Sequence, residues 1–249
     1  MTRDYQHNYS ELKPSLYSTE KRHRKAETIV RVCRDYAGDI GALHALDVGS
    51  SNGIIDDYLA NFFGAVTGVD IDAPAMAHAR ETFDKANLRF LAGDAMSLDF
   101  GDDTFDAAVC TQIYEHVPDA ATMFGEIFRV LKPGGFCYFA GNNRLMFMEP
   151  HYKLPFLSVV PRPLAHRYMR LAGKGEFYHE KHFTHWTLRR MCSDFDIIDY
   201  STRVIAEPEK YAVEYMLPPG SVKWRLAHSV ARVASWAAPM IWILRKPAA

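Results

Sequence analysis

Short apolar runs alternate with amphipathic stretches along the first 141 residues. The runs are four to seven residues long and nearly continuous, which suits strands buried on both faces of a parallel sheet. We predict strands at 45–48, 65–71, 88–91, 105–111 and 136–140. The amphipathic stretches predict helices at about 20–37, 54–63, 73–85 and 120–131, the last ended by the Lys-Pro-Gly-Gly sequence at 132–135. Strands and helices in alternation indicate a doubly wound α/β sheet.

The last part of the chain adds two predicted strands and two predicted helices. Thr184 is placed to cap a short helix at 184–195, residues 196–205 alternate as a strand does, and 240–244 form a final apolar run. Residues 222–237 place apolar side chains on one helical face. Because a long excursion separates the two final strands, they can pair antiparallel at one sheet edge. The predicted fold is therefore Rossmann-like, with about seven strands, mostly parallel with the last antiparallel, and helices on both faces.

Residues 142–182 change in character, because four prolines interrupt a stretch that is apolar, basic and rich in tyrosine and histidine. Insertions of this length in an α/β scaffold are typically functional lids. We therefore predict one domain, 1–249. An N-terminal arm and helix (1–40) precede a core (41–141), and the lid is built from 142–183 and 206–237.

The turn after the first strand, Gly49 to Gly53, is typical of backbone that lies directly under a ligand. Asp70 ends the second strand 23 positions after Asp47, where its carboxylate can accept both hydroxyl hydrogen bonds of a ribose. Plainer alternatives stay open: the glycines can serve tight packing, and Asp70 can cap the next helix. The basic residues of the 20–37 helix are either a solvated face or cations that reach a ligand carboxylate across this turn.

The chain has 249 residues, of which 48% are hydrophobic and 24% charged, ordinary values for a globular protein with one large core. A formal net charge of -1 gives no global field to recruit nucleic acid. Four widely spaced cysteines without a Cys-x-x-Cys pair argue against zinc or disulfide frameworks and fit a reducing compartment. The polar N-terminus predicts no signal peptide, and no apolar run approaches the ~20 residues that span a bilayer. A cytoplasmic protein is expected.

Five motifs occur in order: Ala-Leu-Asp-Val-Gly-Ser-Ser-Asn-Gly at 45–53, Gly-Val-Asp-Ile at 68–71, Ala-Gly-Asp-Ala at 92–95, Tyr-Glu-His-Val-Pro-Asp at 114–119 and Arg-Val-Leu-Lys-Pro-Gly-Gly at 129–135. Together they resemble class I S-adenosylmethionine-dependent methyltransferases over about residues 40–141. The likeness is closest to the methyltransferase type 11 branch with ubiquinone-type and small-molecule O-methyltransferases. That family commonly has Gly-x-Gly-x-Gly in the first turn, whereas the middle position here is Ser51, whose small side chain still admits the ligand.

The resemblance implies S-adenosylmethionine as cofactor and S-adenosylhomocysteine as product. It assigns ten residues to this cofactor: Asp47, Gly49, Ser51 and Gly53 at the methionyl part, Asp70 at the ribose, Ile71, Asp94 and the Ala95 N–H at the adenine, and Thr111 and Gln112 near the amino-acid end. The glycine turn carries no lysine or arginine, which agrees with a sulfonium cation nearby.

Methyl transfer is an in-line displacement at a carbon that positive sulfur already activates. The protein must align the nucleophile, exclude water and, for a hydroxyl acceptor, remove a proton. The first candidate base is His151, which follows Glu149 and Pro150, and the second is His116, which follows Glu115. The alternative for either is a histidine that only packs or begins a helix.

No metal site is predicted. Three histidines (His179, His182 and His185) recur at steps of three, which does not hold three side chains on one helical face, and no carboxylate cluster accompanies them in the sequence. His179 and His182 are interpreted instead as acceptor contacts, together with Tyr152 and Tyr178 from the lid and with Glu115.

The predicted partner is a small-molecule acceptor, for which a lipid- or sugar-linked molecule is one candidate, with O-methylation favoured. The apolar, basic lid and the 222–237 helix suit peripheral contact with a membrane; the alternative is that this helical face packs on the sheet or on a second copy in a homodimer. Two other classes compete. An NAD(P)-dependent oxidoreductase would also use an aspartate at the position of Asp70, but the first turn of this chain lacks the Gly-x-Gly-x-x-Gly sequence of that class. The other is a catalytically inactive, cofactor-binding interaction module.

Overall fold

The structure is a computed structural model that describes residues 6–7 and 18–248; most of the predicted N-terminal arm lies outside these residues. The strands are β1 (His44–Val48), β2 (Ala65–Asp70), β3 (Leu88–Ala92), β4 (Phe105–Thr111), β5 (Leu131–Gly141), β6 (Met148–Glu149), β7 (Leu154–Pro155), β8 (Asp196–Asp199) and β9 (Met240–Arg245). The α-helices are α1 (Thr19–Ala37), α2 (Ile54–Leu59), α3 (Ala73–Thr82), α4 (Ala120–Val130), α5 (Arg162–Leu171), α6 (His185–Met191), α7 (Ser201–Ala206) and α8 (Val222–Val233).

Seven strands form one sheet in the order β3-β2-β1-β4-β5-β9-β8. The pairs from β3 to β5 are parallel, and β9 runs antiparallel to both β5 and β8. The predicted fold class and the antiparallel final pair are both confirmed. Because β1 to β4 are parallel, their carboxyl ends share one edge of the sheet, and the predicted glycine turn, Asp70 and Asp94 all follow strands at that edge.

Both faces of the sheet are covered, as strand β5 shows. Cys137 and Phe139 point into a core that also holds Trp242 of β9 and the apolar face of α4. Phe136 and Tyr138 alternate with them and pack in a second core on the other face, which includes buried residues of α1 and α2. This two-residue alternation is what a strand buried on both sides requires.

Two predicted strands had wrong boundaries for local reasons. The strand predicted at 196–205 ends at Asp199, because the Asp199 carboxylate accepts a hydrogen bond from the Ser201 N–H (2.8 Å) and starts helix α7 there. Helix α4 ends at Val130, so the Lys-Pro-Gly-Gly sequence does follow the end of the helix as predicted. Strand β5, however, begins at Leu131, which pairs with Phe105, and not at the predicted residue 136. The register between β4 and β5 shifts between Phe105 and Ala107, opposite the segment that contains the two glycines.

The lid contains a small hairpin, β6–β7, and helix α5, none of which the sequence predicted. It has an apolar core of its own, in which Leu157, Ala165 and Met169 are fully buried and Tyr178 is nearly so. The lid is therefore a folded unit on the sheet edge. Its internal packing determines which of its side chains reach the site.

Helix α8 leaves its apolar face exposed. Val222, Leu226, Val230 and Val233 are 74%, 64%, 49% and 88% exposed, whereas Ala231 on the opposite face is buried. The Trp224 indole N–H anchors the helix by donating to the Ile205 carbonyl (2.9 Å). The alternative that this face packs on the sheet is therefore wrong. Among the described residues, no helix is long and apolar enough to cross a membrane.

Candidate active site

A cavity of about 520 Å³ opens where β1, β2, β3 and β4 end. This is the edge at which doubly wound sheets bind ligands, because the loops there diverge to opposite faces. Helix α1 and the lid also contribute to its walls. Eight of the ten residues assigned to the cofactor line it: Gly49, Ser51, Asp70, Ile71, Asp94, Ala95, Thr111 and Gln112.

The other two, Asp47 and Gly53, lie behind the wall. Burial raises the pKa of Asp47 to about 7; the Arg22 charge opposes this rise and the Asp70 charge adds to it. Gly53 has φ of 78°, and a Cβ there would lie 2.6 Å from the Phe90 ring. Tight packing, the plainer alternative for the glycines, therefore accounts for Gly53.

Three residues on the cavity wall, Ser51, Gln112 and Lys153, hold the left-handed backbone conformation without being glycine. Ser51 has φ of 56° and Gln112 has φ of 58°. Hydrogen bonds hold these two in place: the Ser51 N–H donates to Asp70 Oδ2 (2.8 Å), and the Asn142 side chain donates to Gln112 Oε1 (2.7 Å). Such conformations cost free energy in residues with a Cβ and cluster at functional sites.

Asp70 faces the cavity from the end of β2. Its Oδ1 accepts from the Asp72 N–H (2.9 Å). Helix α3 has its own cap, since Asp72 accepts from the Ala75 N–H (3.1 Å), so capping does not explain Asp70. Burial raises the pKa of Asp70, and the N–H groups of Asp72 and Ser51 oppose that rise. The carboxylate is thus fixed in direction, with acceptor capacity remaining toward the cavity.

The basic residues of α1 divide into two groups. Lys21, Arg22 and Lys25 line the cavity, which favours the interpretation that they meet a ligand carboxylate. Arg24 and Arg31 instead form ion pairs along the helix with Glu20 and Glu27. Cations therefore reach the site from α1, although the glycine turn itself has none.

The two candidate catalytic histidines both line the cavity. The rings of His116 and His151 meet edge to face, with centroids 5.1 Å apart. His151 Nδ1 lies 2.7 Å from Glu149 Oε1, so the carboxylate accepts a hydrogen bond from this nitrogen and leaves Nε2 with the lone pair. The arrangement holds one imidazole in a defined tautomer at the wall of the site.

Glu149 is fully buried and organises the side chains around it. Its Oε1 is 3.4 Å from His182 Nε2, and its Oε2 accepts from the Tyr152 N–H (2.7 Å). Burial alone would raise the pKa of Glu149, but hydrogen bonds from His151 and His182 outweigh it and bring the pKa to about 2. Glu149 is therefore an anion that orients two histidines.

The predicted acceptor contacts do not line the cavity. Glu115 is 1% exposed and lies behind its wall. Tyr152 and Tyr178 pack against each other in the lid core, with ring centroids 5.8 Å apart. His182 is buried beside Glu149, and His179 packs near Phe177. The composition of the lid indicates these residues, but composition does not reveal which face of a folded lid meets the site.

The sequence did not predict several other residues that line the cavity. Ile113 and Val117 come from the same loop as Gln112 and His116, so the loop motif could have indicated them. Lys153 comes from the lid and Gln6 from the N-terminal residues, where no motif marks them.

Comparisons with known proteins agree with this geometry. The methyltransferase domain family pattern matches residues 46–139. A ubiquinone biosynthesis O-methyltransferase of Hydrogenovibrio crunogenus is 28% identical over 59% of this chain and 67% of its own length. A protein of the same name from Colwellia psychrerythraea is 29% identical over 56% of this chain, which spans about half (54%) of that relative. An S-adenosylmethionine-dependent methyltransferase from Mesorhizobium loti has the same fold: TM-score 0.54, 18% identity, 86% of this chain and 94% of that one.

Proposed function

Because this chain belongs to the class I S-adenosylmethionine-dependent methyltransferases, we propose that it methylates a hydroxyl group of a small-molecule acceptor with a lipid or sugar part. The observation that carries the proposal is the cavity itself. Asp70, His116 and His151 all line it. A donor and an acceptor molecule can therefore meet in one cavity.

S-adenosylmethionine is the cofactor of this family, and the cavity residues fit it. We assign the ribose to the Asp70 carboxylate and the adenine to Ile71, Asp94 and Ala95, because the three segments follow adjacent strands. The turn at Gly49 and Ser51 and the Thr111–Gln112 backbone take the methionyl end. The cofactor's own carboxylate is assigned to the cations of α1.

When bound, the cofactor supplies a methyl carbon activated by positive sulfur, and the carbon–sulfur electron pair stays on sulfur as the acceptor oxygen bonds to the methyl group. This chain's residues then have two tasks. The cavity walls hold the oxygen in line with the methyl group. His151, oriented by Glu149, receives the hydroxyl proton, and His116 contacts the same oxygen.

The two competing classes make different predictions. An NAD(P)-dependent oxidoreductase would bind NADH and would not bind S-adenosylhomocysteine. A binding module without catalysis would bind S-adenosylmethionine tightly and transfer no methyl group. We propose an active enzyme, because the residues that would contact the acceptor oxygen are themselves well oriented.

The experiment is methyl transfer from methyl-labelled S-adenosylmethionine to fractionated lipid and glycan hydroxyl acceptors. We expect labelled product from one acceptor class, and a loss of about 100-fold or more in rate in His151→Gln because it removes proton acceptance at this position. His78→Gln, at an exposed position of helix α3, is the matched control and should leave the rate unchanged. Full activity in His151→Gln would contradict the assigned role, and tight cofactor binding with no product from any acceptor would favour the binding module.

We also propose that the acceptor is collected at an anionic membrane surface by helix α8. At 100° per residue, Lys223 lies on one side of the exposed apolar face, and Arg225 and Arg232 lie on the other. No acidic residue occurs from Ser221 to the end of the chain. An apolar stripe flanked by cations is typical of helices that lie in the lipid headgroup layer.

Leu226→Asp together with Val233→Asp should abolish co-sedimentation with phosphatidylglycerol-containing vesicles. The two carboxylates would place charge where the stripe enters the lipid and would cancel neighbouring cations. Ala73→Asp together with Ala77→Asp, at exposed positions of α3, adds the same two charges elsewhere and should leave binding unchanged. The wild-type chain could instead fail to bind the vesicles and be a dimer in solution, while the double variant is a monomer. The stripe would then be an interface between two copies.

A further inference from the structure

A second cluster of polar side chains lies where the two cavity histidines meet Glu115. One ligand atom from each of Glu115, His116 and His151 can be chosen so that all three lie within 4.8 Å of one another. The chain contributes them from two places: the loop after β4 provides Glu115 and His116, and the lid provides His151. The cluster therefore exists only in the folded protein.

Glu115 is the unusual member. Its side chain is 1% exposed, and neither carboxylate oxygen has a hydrogen-bond partner among the described residues. The Lys25 ammonium attracts it through space without a hydrogen bond. A buried carboxylate without partners is costly, so such groups in native proteins call for a cation or another ligand.

His151 is prepared as a ligand by the residue behind it. Glu149 accepts the Nδ1 hydrogen bond at 2.7 Å, which leaves Nε2 as the nitrogen with a lone pair. A carboxylate that orients a histidine in this way is the usual neighbour of metal-bound imidazole. Glu149 itself is not a ligand: two ligand atoms on one zinc-sized ion lie roughly 3 Å or more apart, and 2.7 Å is a hydrogen bond.

We propose that Glu115, His116 and His151 bind one divalent transition-metal ion of the zinc type at the wall of the cavity. Two imidazoles and one carboxylate are a donor set that zinc and its neighbours prefer over magnesium or calcium. Because His116 and His151 line the cavity, the remaining coordination position faces it. The histidine run at 179–185, from which the sequence predicted no metal, contributes only His182, behind Glu149.

The inference rests on the proposed function and specifies how its site acts. The acceptor oxygen would bind the ion, which lowers the pKa of that hydroxyl so that its proton passes to solvent. The oxygen then forms its bond to the methyl carbon, and the carbon–sulfur pair stays on sulfur. His116 and His151 act as ligands; without the ion, His151 is the proton acceptor as proposed above.

The test measures binding of Zn²⁺ and Co²⁺ to chelator-stripped protein, by competition with a chromophoric chelator and by visible absorption of bound Co²⁺. We expect one ion per chain. Glu115→Gln and His116→Gln should lose this ion. Glu149→Gln, which changes the partner of His151 and not a ligand, should weaken the affinity for the ion by roughly 10- to 100-fold. His78→Gln should bind as the wild type does. S-adenosylhomocysteine binding by each variant shows that it is folded.

Two results would overturn the inference: no ion bound by the wild-type chain, or an ion bound equally by Glu115→Gln, His116→Gln and His78→Gln. Either would leave the proposed function intact, with His151 as the proton acceptor. A chelator that stops methyl transfer without changing S-adenosylhomocysteine affinity would place the ion in the reaction. Failure of methyl transfer in metal-loaded wild-type protein with every acceptor would count against the proposed function instead.

Discussion

Asp70→Ala should weaken binding of S-adenosylhomocysteine by about 100-fold or more in a calorimetric titration. The carboxylate is fixed by the N–H groups of Ser51 and Asp72 and has capacity for two further hydrogen bonds toward the cavity. A hydrogen bond to a charged group contributes about 1.5–3 kcal/mol, and 1.4 kcal/mol is a factor of ten. Two ribose hydroxyls therefore account for a loss of this size.

A second substitution separates the loss of hydrogen bonds to the ribose from the loss of hydrogen bonds that hold the turn. Asp70→Asn keeps an oxygen for the Ser51 or Asp72 N–H but loses the charge, so we expect a loss of about tenfold. Asp84→Asn, an exposed aspartate, is the control for charge and should bind as the wild type does. NADH should not bind to any of them. An Asp70→Ala variant that binds within about threefold of the wild type would show that the ribose lies elsewhere.

The fold could be predicted in the part where local pattern and topology agree. Strands β1 to β5 are short apolar runs separated by helices, and parallel pairing leaves few arrangements for them. The strand predicted at 196–205 failed because one side chain, Asp199, outweighs the alternation after it. The exposed face of α8 could not be predicted either, since the same apolar periodicity describes a packed helix and an unpacked one.

The candidate site divides in the same way. Residues that follow strands, such as Asp70 and Asp94, could be predicted because a strand's end fixes their position at the sheet edge. The Glu115, His116 and His151 cluster could not be, because the lid's own packing brings His151 to the loop after β4. That packing also buries Tyr178 and partly buries Tyr152, which composition alone suggested as acceptor contacts.

Gly49→Ala should destabilise the protein by about 2–5 kcal/mol and reduce S-adenosylhomocysteine affinity by more than about tenfold. Gly49 has φ of 86°, where an alanine costs about 1–2 kcal/mol. Its new Cβ would also lie 1.9 Å from Cδ1 of Ile113, and overpacking of this kind costs about 1–3 kcal/mol. Ile113 lines the cavity, so a displaced Ile113 side chain takes space from the ligand.

Gly134→Ala separates the two causes, because Gly134 has φ of 80° and no atom within 4 Å of its added Cβ. It should lower the melting temperature without changing ligand affinity. Ile113→Ala supplies a double-mutant cycle: Gly49→Ala should weaken ligand binding much less in that background than in the wild type. An equal loss in both backgrounds would mean that the turn itself, and not Ile113, excludes the ligand. The glycine would then be required for backbone contact with the cofactor, as its place in the turn first indicated.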